Sequence, residues 1–139
     1  MPTRAATICL LLFCVRSLLH AQDAKNTSRG VFTEEQAKKG EAAYQRVCAS
    51  CHGADLHSTE PEAPDLTEGS FKFGWQGKTI AERFDTIRKT MPPQRAGGLD
   101  DQTYLDIVTY ILRFNNVPGG NQALQPDLDR LKQIVISAP

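Results

Sequence analysis

The chain has 139 residues, sixteen Lys and Arg against sixteen Asp and Glu, and 40% hydrophobic residues. That length suits one small domain, and the even charge balance gives no electrostatic reason to expect a nucleic-acid partner. No internal repeat or long low-complexity stretch is present, which excludes a repeat array.

Residues 1–21 read as a signal peptide. Arg4 precedes the apolar run Ile8-Cys9-Leu10-Leu11-Leu12-Phe13-Cys14-Val15, and Leu19-His20-Ala21 offers a small residue at the cleavage point. Arg16 interrupts the run too early to cross a bilayer, so no membrane span is expected once the leader is gone. An uncleaved anchor is the alternative. Cys9 and Cys14 follow Ile8 and Phe13 and lack the small preceding residue of a lipoprotein signal. Losing Arg4 and Arg16 leaves two more acids than bases, and residues 22–31 read as a flexible polar segment. The expected location is periplasmic or otherwise exported.

The first helix is predicted to open at Thr33-Glu34-Glu35-Gln36, which has the form of a capping box with acids in the first turn. It places Ala37, Gly40, Tyr44, Val47 and Cys48 on one stripe. Gly40 weakens the helix and makes sense where a second helix must approach closely.

The run Cys48-Ala49-Ser50-Cys51-His52-Gly53 then reads as a C-x-x-C-H site for c-type haem. Two thiols three positions apart can each form a thioether to a haem vinyl group, and the following imidazole is an axial ligand. A zinc site would need two more Cys or His ligands, and a thioredoxin-like dithiol should open a helix after a strand. Here only His57 lies nearby, and the cysteines close a helix. An oxidising compartment would also pair two free thiols that haem did not cap. His57 is too close to His52 to round the edge of the macrocycle, so it reads as a surface histidine.

From Gly53 to Lys78 a long loop is expected to wrap a prosthetic group, which would supply the core that such loops otherwise lack. Its Trp75, the only tryptophan, is either a ring on the haem rim with its N–H towards a propionate or a half-buried loop aromatic. A second helix is predicted from the capping box Thr79-Ile80-Ala81-Glu82, with Ile80, Phe84 and Ile87 as its core side, and ends before Pro92. Met91-Pro92-Pro93 should therefore hold Met91 in extended chain. It is the only methionine outside the leader, and its thioether suits the second axial position of a haem iron. The third helix is predicted from Asp101 to Phe114, with Asp100 as cap and Asn115-Asn116 as stop. It is apolar nearly all round and so needs two partners, the first helix and the haem.

These residues together resemble the single-haem class I cytochromes c over roughly Phe32 to Pro118. The likeness rests on Cys48 to His52, Ala63-Pro64-Asp65-Leu66, Met91-Pro92-Pro93 and the final Thr109-Tyr110-Ile111-Leu112. It implies a small all-α fold of three main helices and long loops around one covalent haem. It also implies that the Pro64 carbonyl accepts a hydrogen bond from the His52 ring, that Leu66 packs on the haem, and that Gly40 and Tyr44 mark the crossing of first and last helices. The segment Phe71 to Thr79, with the Gly97-Gly98-Leu99 turn, looks like bacterial members that accompany dehydrogenases, some of them quinone-cofactor dependent.

The expected cofactor-binding set is thus Cys48, Cys51, His52, Met91, Pro64, Leu66 and Trp75, with His52 and Met91 on the metal and no catalytic residues. The expected function is one-electron transfer with a dehydrogenase or terminal oxidase as partner, by a free carrier or as a subunit of such a complex. A haem enzyme or gas sensor with a dissociable methionine is the competing class. The haem domain is taken as 32–118. The tail 119–139, with a helix start at Pro126-Asp127 and an apolar end at Ile134-Val135-Ile136, either caps the domain or docks on a partner. Residues 34–68 carry eight acids against three bases, whereas residues 69–98 carry six bases against two acids, a polarity suited to steering an acidic partner.

Overall fold

The computed structural model describes residues 25–137 and 139, so the predicted leader lies outside the described residues. Helices α1 (Glu34–Val47), α4 (Ile80–Thr90) and α5 (Asp101–Phe114) form the frame, joined by the short α2 (Ala49–His52) and by α3 (Glu68–Trp75). A final turn, α6 (Leu128–Leu131), leads to β2 (Ile134–Val135), which pairs in parallel with β1 (Lys25–Asn26). The architecture is a small all-α cytochrome c fold with one two-residue ladder tying its ends together.

Helix α1 starts where Thr33 accepts a hydrogen bond from the Gln36 N–H at 3.1 Å. The second half of the predicted capping box does not form. Gln36 turns inward instead, donating to Asp106 at 2.9 Å and to the Leu124 carbonyl at 3.0 Å while accepting from the Leu124 N–H at 2.8 Å. A buried amide that meets three partners gains more there than by capping its own helix in water.

Gly40 sits where α1 crosses α5. A Cβ placed on it would lie 1.8 Å from the Asp106 carbonyl oxygen, so only glycine permits this approach. Tyr44, one turn further, packs on Tyr110 with ring centroids 5.2 Å apart. Helix α5 begins at Asp100, which accepts from the Thr103 N–H at 2.9 Å and hydroxyl at 2.6 Å, and every residue from Tyr104 to Leu112 is buried. It ends at Asn115, followed by Asn116 in the left-handed region. Phe114, counted in the sequence as part of the apolar circumference, is exposed.

Helix α4 has the full predicted capping box, with Thr79 and Glu82 bonded reciprocally. Its apolar side, Ile80, Ala81 and Phe84, joins the common core. The stretch expected as continuous loop contains α3. Phe71 and Trp75 are one turn apart, stack at 5.3 Å and are buried, which is the stabilising pair of this helix. Gly69 and Gly74 inside it lower its propensity and hide it from a periodicity reading.

The tail folds back on the domain. Leu124, Leu131, Ile134 and Ile136 are buried in the same core cluster as the main helices. Ile136 donates to the Lys78 carbonyl at 2.8 Å and accepts from the Gly77 N–H at 2.9 Å. The polar segment expected to be flexible is held by the same tail: Thr27 is buried, and its hydroxyl accepts from the Ser137 N–H at 2.9 Å. Composition indicated mobility here because the segment is mostly polar, with only Ala24 and Val31 apolar. Pairing with a later strand supplied the order.

Candidate haem site

Helix α1 ends at Cys48, whose N–H donates to the Tyr44 carbonyl at 2.8 Å, and the chain makes one more turn as α2 to deliver Cys51 and His52. The turn stops at Gly53, whose φ of 76° is open to glycine and whose Cβ position would lie 1.8 Å from the His57 carbonyl oxygen. Tyr44 holds the end of this turn, donating its hydroxyl to the Gly53 carbonyl at 2.9 Å and the His52 carbonyl at 3.2 Å. Burial pushes the Tyr44 hydroxyl well above its ordinary pKa. Burial first, and the neighbouring Cys51 second, push the Cys48 thiol up to about 11, so the free thiol is uncharged at neutral pH.

The His52 Nδ1 lies 3.0 Å from the Pro64 carbonyl oxygen. A carbonyl only accepts, so Nδ1 carries the proton and Nε2 keeps the lone pair that a metal needs. Leu66, two residues after Pro64, is fixed by loop hydrogen bonds: its N–H donates to the Leu56 carbonyl at 2.9 Å, and Asn115 Nδ2 donates to its carbonyl at 2.8 Å. Met91 is the C-cap of α4 in extended conformation, as the following Pro92 requires. Its N–H donates to the Ile87 carbonyl at 2.8 Å, and its carbonyl accepts from the Tyr104 hydroxyl at 2.7 Å.

All seven residues singled out in the sequence, Cys48, Cys51, His52, Pro64, Leu66, Trp75 and Met91, line one cavity of about 680 Å³. Val47, Ile87, Ile107 and Ile111 supply apolar wall between them. Its size falls in the range of about 300–1,000 Å³ typical of ligand pockets, and its donor set, two thiols, an imidazole and a thioether against aliphatic walls, fits a thioether-linked haem. His57 stays outside this cavity. It is exposed, with Nδ1 3.4 Å from the Thr67 hydroxyl. Two residues of the site were not singled out in the sequence. Tyr104 bonds the Met91 carbonyl, and Arg83 lines the wall beside Trp75. Nothing local in the sequence distinguishes them from core and surface residues.

The fold and the cavity define a class I c-type cytochrome. The family model described as "Cytochrome C oxidase, cbb3-type, subunit III" matches residues 35–111, and the chain belongs to this family of haem electron-transfer proteins, whose cofactor is covalently bound c-type haem. Among curated relatives, the chain is 29% identical over 89 residues to the "Cbb3-type cytochrome c oxidase subunit CcoP" of Azospirillum brasilense, covering 60% of this chain and 29% of that protein. It is 38% identical over 72 residues to "Cytochrome c-551" of Bacillus subtilis (strain 168), covering 48% of this chain and 62% of that protein. The match thus spans less than two thirds of either relative. No solved structure gives a significant match. No described helix is long and apolar enough to cross a membrane.

Proposed function

We propose that this protein is an exported one-electron carrier whose haem is tethered by Cys48 and Cys51 and held axially by His52 and Met91. The observation that carries this reading is the convergence of those four side chains, from three separate stretches of sequence, on a single apolar cavity. Bound haem supplies an iron that alternates between ferric and ferrous states. The chain contributes the rest. His52, with its proton committed to the Pro64 carbonyl, offers a neutral and more basic Nε2. Met91 offers a soft thioether, and a His/Met pair raises the reduction potential. Val47, Ile87, Ile107 and Ile111 line the cavity and would give a bound haem an apolar surround. One electron enters from a donor protein and the same electron leaves to an acceptor, without bond making in the chain.

If His52 and Met91 both hold the iron, no position would be open to a substrate, which favours a carrier or subunit over a haem enzyme or gas sensor. The oxidase subunit among the relatives favours a terminal oxidase as partner, and leaves a second reading, a haem subunit within such a complex. A dehydrogenase remains the alternative donor. The visible spectrum of protein exported with its leader tests the proposal. A low-spin haem spectrum, retained on the denatured polypeptide and unchanged by carbon monoxide after reduction, is expected. Haem that separates from the denatured chain would overturn the tethers, and a carbon monoxide adduct would return the enzyme or sensor class.

A further inference from the structure

A second cavity, of about 390 Å³, shares no lining residue with the haem cavity and falls at the low end of the range of about 300–1,000 Å³ typical of ligand pockets. One aromatic pair borders both: Phe71 lines the second cavity and stacks on Trp75, which lines the first. The apolar surface of the second cavity comes from Phe71 and from Phe114, which is 39% exposed. His57, Glu68, Lys72 and Asn116, all exposed, supply polar groups around it. The Thr67 hydroxyl lies 3.4 Å from His57 Nδ1, which leaves Nε2 facing no protein partner among the described residues.

A carboxylate four residues before a lysine on a helix ordinarily pairs with it, as Glu35 does with Lys39 at 3.0 Å on α1. Glu68 and Lys72 on α3 have the same order and spacing and form no ion pair. The reason is the backbone: Glu68 has a φ of 48°, a left-handed conformation that takes its side chain off the helical row. Asn115 enforces it. Its Oδ1 accepts from the Glu68 N–H at 3.1 Å, while its Nδ2 donates to the Leu66 and Ile111 carbonyls at 2.8 and 2.9 Å. Asn116, at φ 62°, lines the same cavity, and Leu56, at φ 64°, immediately precedes His57. The three left-handed non-glycine residues among the described residues are therefore all at or next to this cavity. Strain of this kind persists where the surroundings over-determine it, and it gathers at ligand sites.

The cavity thus keeps one carboxylate and one ammonium apart and unpaired beside two phenyl rings. A simple anion would meet Glu68, and a simple cation would meet Lys72. No group of three or more His, Cys, Asp or Glu among the described residues could hold a metal ion. We propose that this cavity binds a small zwitterion with an apolar side chain, the chemistry of a hydrophobic α-amino acid. Its ammonium pairs with Glu68, its carboxylate with Lys72, and its side chain covers Phe71 and Phe114. His57 Nε2 and the Asn116 amide remain for further hydrogen bonds to it. The site uses no residue of the haem cavity, so it stands or falls separately from the electron-carrier reading.

Calorimetric titration of the exported holoprotein with L-leucine and L-phenylalanine tests this, each beside its deaminated and its decarboxylated analogue, with glycine as the zwitterion that lacks an apolar side chain. Saturable one-to-one binding of at least one of the two amino acids is expected. Each single-charge analogue should bind about fivefold more weakly, the upper range for an exposed ion pair. Glu68→Gln should bring the amino acid down to the affinity of its deaminated analogue, and Lys72→Gln to that of its decarboxylated analogue, with the visible spectrum and melting temperature showing that both variants are folded. Absence of saturable heat with both amino acids overturns the proposal. So do analogues or glycine bound as tightly as the amino acid, and a preference for the zwitterion that survives both substitutions.

Discussion

Tyr104 lies thirteen residues after Met91 and still fixes it, because its hydroxyl donates to the Met91 carbonyl at 2.7 Å and accepts from the Leu99 N–H at 3.4 Å. Removing the hydroxyl with Tyr104→Phe should cost about 1 kcal/mol, the usual net worth of such a bond. The near-infrared methionine charge-transfer band should then disappear at a lower denaturant concentration than helical circular dichroism. Met91→Ala is the sharper change. Haem should remain on the polypeptide in denaturing gels while the low-spin spectrum is lost and the potential falls. Persistence of the charge-transfer band would remove Met91 from the axial position. Cys48→Ala with Cys51→Ala should abolish haem staining altogether.

At the scale of the elements, two devices set where the helices stand. Gly40 allows the Asp106 backbone of α5 to touch α1, and Gly40→Ala should cost at least the upper end of the range of about 1–3 kcal/mol seen for overpacking, because the obstacle is backbone and cannot rotate away. Thermal denaturation of the holoprotein reads this directly. The helix caps make stability depend on pH. Hydrogen bonds from Thr103 hold Asp100 below the ordinary carboxylate pKa, and the backbone N–H of Thr79 does the same for Glu82. A carboxylate with a depressed folded-state pKa stabilises above its unfolded value, near 4, and this contribution fades as the pH falls through the folded value. Asp100→Asn, still a good cap, should therefore change the melting temperature little at neutral pH and flatten its decline in acid. Equal acid slopes for the two proteins would contradict that role. These helices were legible beforehand from caps and periodicity. Helix α3 was not, since its two glycines break the pattern and its Phe71–Trp75 stack gains its value from burial against the rest of the fold.

For the whole molecule, the sequence suggested a basic half that steers an acidic partner, and the structure reduces that field. Arg88 is shared between Asp85 and Asp101, Lys89 is paired with Asp85, and Arg83 is turned into the cavity. Lys72, Lys78 and Arg95 remain exposed without an ion pair among the described residues. Arg95 follows Gln94, which lines the cavity as does Phe73, a side chain that is 94% exposed. Arg95→Glu should accordingly slow second-order electron transfer more than Lys89→Glu, and added salt should shrink the difference as the Debye length falls from about 10 Å at 0.1 M to about 3 Å at 1 M. Equal rates for both variants at low salt would remove the steering field. Deleting residues 121–139 strips four buried aliphatic side chains, each worth about 1.5–3 kcal/mol, from a fold whose total margin is about 5–15 kcal/mol. Little folded holoprotein should survive, and recovery of a full yield would show the tail to be dispensable.

The sequence by itself determined the chemistry and the main frame. Cys48, Cys51 and His52 are adjacent in the chain, the caps at Asp100 and Thr79 act within four residues, and Pro92 acts on its immediate neighbour, so local rules suffice to read them. Tertiary structure alone decided the rest, because each remaining feature depends on atoms distant in sequence. Gln36 left its capping role for Asp106 and Leu124, the tail chose the domain's own core and ordered Thr27, and the Arg83 guanidinium came to lie 6.0 Å from the Trp75 ring centroid. Packing satisfies or strands such groups, and no sequence window contains both members of the pair.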